Sequence, residues 1–126
     1  MQITAYHTTD AEFDAFDAAR LGEYTDRNAT EDAARELARL GIWFADRDLR
    51  QDLCADHCLT CEIEMANPYT TTFALLWDEM EQGGAAAFRA ALESDGYDGI
   101  IVEDGEFGGR EYVALDADAI TITARA

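Results

Sequence analysis

Three short segments set the tightest limit on how this chain can fold: Ile3-Thr4-Ala5-Tyr6-His7-Thr8 near its start, Ile42-Trp43-Phe44-Ala45 after Gly41, and Ile120-Thr121-Ile122-Thr123 near its end. Each is rich in β-branched or aromatic residues, and the first and last alternate in the manner of a half-buried strand. The chain is then rich in strands at both ends, with the helices mostly early or central, which predicts an α+β domain. Leu59-Thr60-Cys61-Glu62-Ile63-Glu64-Met65 adds a cleanly alternating strand, ended by Asn67-Pro68. Ile100-Ile101-Val102 follows the turn Gly96-Tyr97-Asp98-Gly99, and Glu111-Tyr112-Val113-Ala114-Leu115 follows a glycine-rich acidic loop from Glu103 to Arg110.

Helical spacing occupies the rest. Phe13, Phe16 and Ala19 suit a short helix from Asp10, closed by Gly22. Thr30 can cap a helix through Leu40 with Ala33, Leu37 and Leu40 on one stripe, and Gly41 is its permissive stop. Leu49 and Leu53 predict a further short helix over 46–58. Phe73, Leu76, Trp77 and Met80 resume beyond Gly83-Gly84 as Phe88, Ala91 and Leu92, so one broken helix or two stacked ones are expected. The 126 residues, 48% of them hydrophobic, show no repeat and no linker, so one domain over 1–126 can bury its own core.

The charge is extreme: 27 acidic residues against nine basic ones, all of them Arg, leave a formal −18. Such a surface repels phosphate backbones, which argues against direct nucleic-acid binding. It is open to three readings: a solvating surface for high salt, a docking surface for a basic partner, or a mimic of nucleic acid that fills another protein's groove. No run approaches the roughly 18 apolar residues of a membrane helix. Met1-Gln2-Ile3-Thr4-Ala5 lacks the regions of a secretion signal, so a soluble cytoplasmic protein with no membrane partner is expected.

All three cysteines fall in Cys54-Ala55-Asp56-His57-Cys58-Leu59-Thr60-Cys61. Three thiolates and one imidazole could ligate zinc, yet structural zinc sites usually draw on two separated pairs. The spacing also resembles the iron–sulfur signature of radical SAM enzymes, whose longer barrel this chain is too short to supply. Buried thiols, on a helix and at the start of the next strand, are the favoured expectation, with no metal site.

The ordered set Tyr6-His7-Thr8-Thr9, Gly41-Ile42-Trp43-Phe44-Ala45-Asp46, Cys61 to Pro68, Gly96-Tyr97-Asp98-Gly99-Ile100-Ile101 and Arg110-Glu111-Tyr112-Val113-Ala114-Leu115-Asp116 resembles the ADP-ribosyltransferase fold of the H-Y-E branch. That branch includes the diphtheria-toxin-like and poly(ADP-ribose) polymerase-like enzymes, and the likeness is greatest to small phage-type transferase domains. No single motif is specific; their order and spacing over nearly the whole chain carry the resemblance. It implies an ADP-ribosyltransferase-like split β-sheet core with short helices, and NAD as the substrate. Trp43 stands where the family usually has tyrosine, which keeps an aromatic face and loses a hydroxyl.

Transfer of ADP-ribose breaks the bond between nicotinamide and its ribose through an oxocarbenium-like transition state, so a carboxylate that meets the developing positive charge speeds it. By resemblance, Glu111 is the catalytic residue: it accepts a hydrogen bond from the nicotinamide ribose, steadies the cation and helps to align or deprotonate the acceptor. His7 hydrogen-bonds the adenine-side ribose, a role that needs a fixed tautomer more than a titrating group. Thr8 adds contacts to nicotinamide, and Trp43 or Phe44 stacks on it. The plain readings are an exposed strand glutamate, a satisfied strand-end histidine and core aromatics. The loop Asp104-Gly105-Glu106-Phe107-Gly108-Gly109 sits where related enzymes recognise the acceptor. Arginine-specific relatives carry a second acid two residues before the catalytic Glu, where this chain has Gly109.

The implied function is NAD-dependent transfer of ADP-ribose to a protein acceptor, such as a basic nucleic-acid-handling protein. A phage or mobile-element effector acting in the host cytoplasm against a host defence fits that description, as an anti-CRISPR transferase of similar size does. The alternative is a non-catalytic acidic inhibitor or nucleic-acid mimic that binds a basic partner surface.

Overall fold

The computed structural model describes residues 1–9, 32–105 and 108–126. The helix expected over 10–22 and the Thr30 cap lie outside the described residues. Along the chain come β1 (Gln2–Thr9), α1 (Asp32–Leu40), β2 (Ile42–Ala45), the single turn α2 (Arg50–Leu53), β3 (His57–Glu64) and β4 (Pro68–Thr71). Then follow α3 (Phe73–Gln82), α4 (Gly84–Ser94), β5 (Gly99–Val102), β6 (Glu111–Ala114), a 3-10 turn at Ala117–Ala119, and β7 (Ile120–Arg125). The strands form one mixed sheet in the order β4-β5-β6-β2-β1-β3-β7. Only β4 and β5 run parallel; the other neighbours are antiparallel. The architecture is a small α+β domain, with β1 and β7 from the chain's two ends both bonded to β3.

The sheet is unevenly joined. β1 pairs with β3 from Gln2–Glu64 to Thr9–His57, and β2 pairs with β6 from Ile42–Ala114 to Ala45–Glu111. Between β1 and β2 the register holds only at Tyr6–Ala45. Two well-bonded halves, β4-β5-β6-β2 and β1-β3-β7, therefore meet at a narrow seam.

Alternation along the strands divides the buried side chains between the two faces. On one face Ile100, Val102 and Val113 pack with Leu37 and Leu40 of α1, Leu76 and Met80 of α3, and Ala85 and Leu92 of α4. On the other, Phe44, Ala5, Leu59, Cys61, Ile63 and Ala114 form a second cluster, flanked by Ile120 and Ile122. Each fully buried Leu, Ile or Val contributes about 1.5–3 kcal/mol relative to exposure. α3 starts where Thr72 accepts a hydrogen bond from the Leu75 amide at 3.3 Å and Asp104 Oδ1 accepts one from the Phe73 amide at 2.9 Å. Arg89 of α4 donates to the carbonyls of Leu40 and Leu115, tying the helix layer to the ends of α1 and β6.

Three expectations need correction. Asn67-Pro68 does follow the end of β3 at Glu64, but the spacing gives no strand after it, whereas Pro68 opens the edge strand β4, where a missing N–H is tolerated. Asp98 braces the turn before it by accepting from the Ala66 and Asn67 amides at 2.7 and 3.0 Å. The helix over 46–58 shrinks to Arg50–Leu53, because only Leu49 finds a buried place (5% exposed) while Leu53 is 42% exposed. Cys54, at φ 52°, leaves the helix in the left-handed region and is exposed, contrary to the expectation of a buried thiol. β3 accordingly begins at His57, and Cys58 and Cys61 are buried within it.

Candidate active site

One line of paired residues crosses the sheet. Thr71 of β4 faces Val102 of β5, which faces Glu111 of β6, then Ala45 of β2, Tyr6 of β1 and Thr60 of β3. Directly paired residues point to the same side, so this rung presents Thr71, Glu111, Ala45 and Tyr6 on the face that carries Val102 and Val113. Thr71 and Glu111 are the two buried polar or charged residues among the described ones, at 8% and 9% exposure. Burying a carboxylate is costly unless it is paired and hydrogen-bonded. Glu111 fits where it does because residue 105 is glycine: a Cβ there would meet Glu111 Cγ and Oε1 at 2.5 Å.

His7 lies one rung away, opposite Phe44, on the other face. Its ring is 5.5 Å from that of Phe44 at an interplanar angle of 59°. Its Nδ1 lies 2.7 Å from the Trp43 carbonyl oxygen. A carbonyl can only accept, so Nδ1 carries the proton and Nε2 is left as the acceptor in the neutral ring. This bond crosses the seam and takes a carbonyl that an uninterrupted β1–β2 ladder would have paired with backbone. Burial lowers the His7 pKa below the ordinary histidine value, opposed in part by the bond to the Trp43 carbonyl.

That shift fixes a pH dependence. The folded protein binds a proton at His7 only below the pH at which the unfolded chain does, about 6.5. Stability is therefore retained above about pH 6.5 and falls as the pH drops from there toward the lowered folded pKa. His7→Asn keeps an N–H for the Trp43 carbonyl and removes the titration. The gap between wild-type and His7→Asn melting midpoints is expected to move against the wild type from pH 7 to pH 5; a constant gap would refute the lowered pKa.

The remaining expected residues divide between the faces. Trp43 points to the helix layer, where its indole N–H donates to the Leu37 carbonyl at 2.7 Å. Phe44, 3% exposed, belongs to the opposite core. The two aromatics thus cannot line one face together: Trp43 shares the side of Glu111, and Phe44 that of His7. Thr8 accepts a hydrogen bond from the Leu49 amide at 3.2 Å, so its hydroxyl anchors the chain that follows β2.

The loop before Glu111 is held by that same chain. Asp46 Oδ2 accepts from the Arg110 amide at 3.0 Å, and Arg47 donates to the Gly108 carbonyl at 2.8 Å. Gly109 sits at φ 76°, where a side chain is strained, and a Cβ on it would meet Asp46 Oδ2 at 2.7 Å, so any larger residue there has to displace the Asp46 carboxylate. Of the loop's described acids, Asp104 caps α3 and Glu103 pairs with Arg110 at 3.2 Å. Glu106 and Phe107 lie outside the described residues.

Sequence reading passed over three participants: Asp46 and Arg47 as loop anchors, and Tyr6 as the rung partner of Ala45. Alternation alone does separate Trp43 from Phe44 in the sequence. Among the described residues no three His, Cys, Asp or Glu side chains are grouped to hold a metal ion. Burial raises the Cys58 thiol and pushes Cys61 up to about 11, which keeps both protonated and inert. No described helix is long and apolar enough to cross a membrane. No protein-family profile matches the chain, and no curated protein is significantly similar to it in sequence.

Proposed function

We propose that the protein is an NAD-dependent mono-ADP-ribosyltransferase of the H-Y-E type, with Glu111 as its catalytic residue and His7 as the main dinucleotide contact. The observation that carries this reading is the register that sets a buried carboxylate, Glu111 of β6, and a neutral histidine of fixed tautomer, His7 of β1, one rung apart on opposite faces, on either side of β2 and the β1–β2 seam. The narrow seam agrees with the split sheet that the resemblance implies.

In the reaction, the bond from the ribose C1′ to the nicotinamide nitrogen breaks, and its electron pair leaves with neutral nicotinamide. The acceptor's nucleophile forms the new bond at C1′ and loses its proton to Glu111 or to water. Glu111 meets the positive charge that builds on the ribose. His7 Nε2 accepts a hydrogen bond from a hydroxyl of the adenine-side ribose, with Phe44 behind the ring. Trp43, bonded to Leu37, has an aromatic surface on the Glu111 side for nicotinamide, and Thr8 contributes backbone contacts. With glycine at position 109, the second acid carried by arginine-specific relatives has no counterpart here. The net charge of −18 favours a basic, nucleic-acid-handling acceptor, in the setting of a phage or mobile-element effector in a host cytoplasm.

The test is release of nicotinamide from NAD by the isolated protein, with and without a lysate of candidate hosts. Slow hydrolysis alone, accelerated by the acceptor, is the expected result. No release at millimolar NAD, a level that saturates most enzymes, together with tight binding to a basic protein, would replace this reading with that of an acidic inhibitor.

A further inference from the structure

Tyr6 has a place in this site that the motif around His7 does not announce. It sits in a central strand, between Ala45 and Thr60, yet belongs to neither apolar cluster; every other described aromatic residue packs in or against one of them. Its neighbours on the same face of β1 and β3 are Thr4, Thr8, Thr60 and Glu62, with the buried Cys58 beside Thr8. The side chain is half-buried, and its hydroxyl makes no hydrogen bond with a described residue. Such a tyrosine has the apolar body and polar tip of a ligand contact.

The register gives its position relative to Glu111. The two residues lie on one rung and one face, two strands apart, with Ala45 between them. Neighbouring strands are about 4.8 Å apart, so the two Cα atoms are separated by about 10 Å, with Ala45 the residue of the rung between them. A phenol supplies a donor and a carboxylate two acceptors. Together they can grip a group that both donates and accepts, and a sugar hydroxyl does both.

We infer that Tyr6 is a substrate-contacting residue whose phenol hydrogen-bonds the same ribose that Glu111 engages, across the floor made by Ala45. The inference rests on the proposed transferase reading and names a determinant of how the sugar is held. Phenol and carboxylate then fix the ribose from two sides, so that C1′ faces the acceptor when nicotinamide departs.

Steady-state nicotinamide release by wild type and Tyr6→Phe, with a melting midpoint for each, tests it. Loss of one neutral hydrogen bond to substrate is expected to lower kcat/KM for NAD about tenfold, mainly through KM, since the contact exists before and during bond breaking. The midpoint should stay within a degree or two of the wild type, because the phenol bonds to no described residue. Wild-type kinetics in Tyr6→Phe would overturn the role of Tyr6 and leave the transferase reading standing. A fall in activity matched by a large fall in midpoint would overturn it too, as a structural effect. Absence of turnover in the wild type would overturn both.

Discussion

Glu111→Gln is expected to slow nicotinamide release from NAD by about 10²–10³-fold while the protein stays folded, the usual consequence of removing one preorganised group that meets transition-state charge. The substitution keeps the size and one acceptor oxygen, and it takes away the negative charge. Gly105 packs directly against the Glu111 side chain, so a larger or differently shaped replacement would confound loss of charge with displacement of the loop. Glutamine avoids that. The plain alternative, a glutamate kept only for its local bonds, predicts the opposite signature. Breaking such bonds at a residue 9% exposed would lower the melting midpoint and leave any turnover per folded molecule intact. Measuring kcat/KM and midpoint on the same preparations separates the two, and unchanged turnover in a folded Glu111→Gln would remove the residue from the mechanism. An effect on kcat and kcat/KM alike would mark an interaction made only in the transition state.

Much of the fold is legible in local spacing, and the exceptions share a cause. β1, β2, β5 and the α3–α4 break appear where alternation, glycine punctuation and helical stripes put them, because each is decided by residues close in sequence. β4 escapes because Pro68 is acceptable only through what lies beside it: a parallel partner on one side and no neighbouring strand on the other. The helix over 46–58 is overextended because the Leu49–Leu53 spacing suits a helix, whereas burial of Leu49 and the bond from its amide to Thr8 favour a single turn. The site divides in the same way. Glu111 at a strand start and His7 in β1 are local features, but that Tyr6, Ala45, Glu111 and Thr71 share a rung depends on the register of four strand pairs, which no window of sequence contains.

Phe44 shows how closely the core and the site are joined, and its removal is expected to cost the most stability. It is 3% exposed, lies in the cluster built from Ala5, Ile42, Leu59, Cys61 and Ile63, and stands behind the His7 ring. Phe44→Ala is expected to destabilise the protein by about 3–5 kcal/mol, the range for truncating a buried phenylalanine. That is a large share of the roughly 5–15 kcal/mol that holds a domain folded. For a chain of this size the midpoint should fall by roughly 10–20 °C. Phe44→Leu keeps most of the apolar volume and should cost less than about 1.5 kcal/mol. The pair of variants also reads the state of His7. Its lowered pKa comes first from burial, so the cavity left by alanine admits water and returns the His7 titration toward the ordinary value, whereas leucine holds it down. NMR titration of the His7 ring in both variants distinguishes these outcomes. If alanine leaves the His7 pKa where the wild type has it, the imidazole is kept dry by something other than Phe44, and the aromatic serves the core alone. If the pKa rises, the same ring that holds the sheet halves together also keeps His7 neutral, and activity at mildly acidic pH should fall in Phe44→Ala ahead of unfolding.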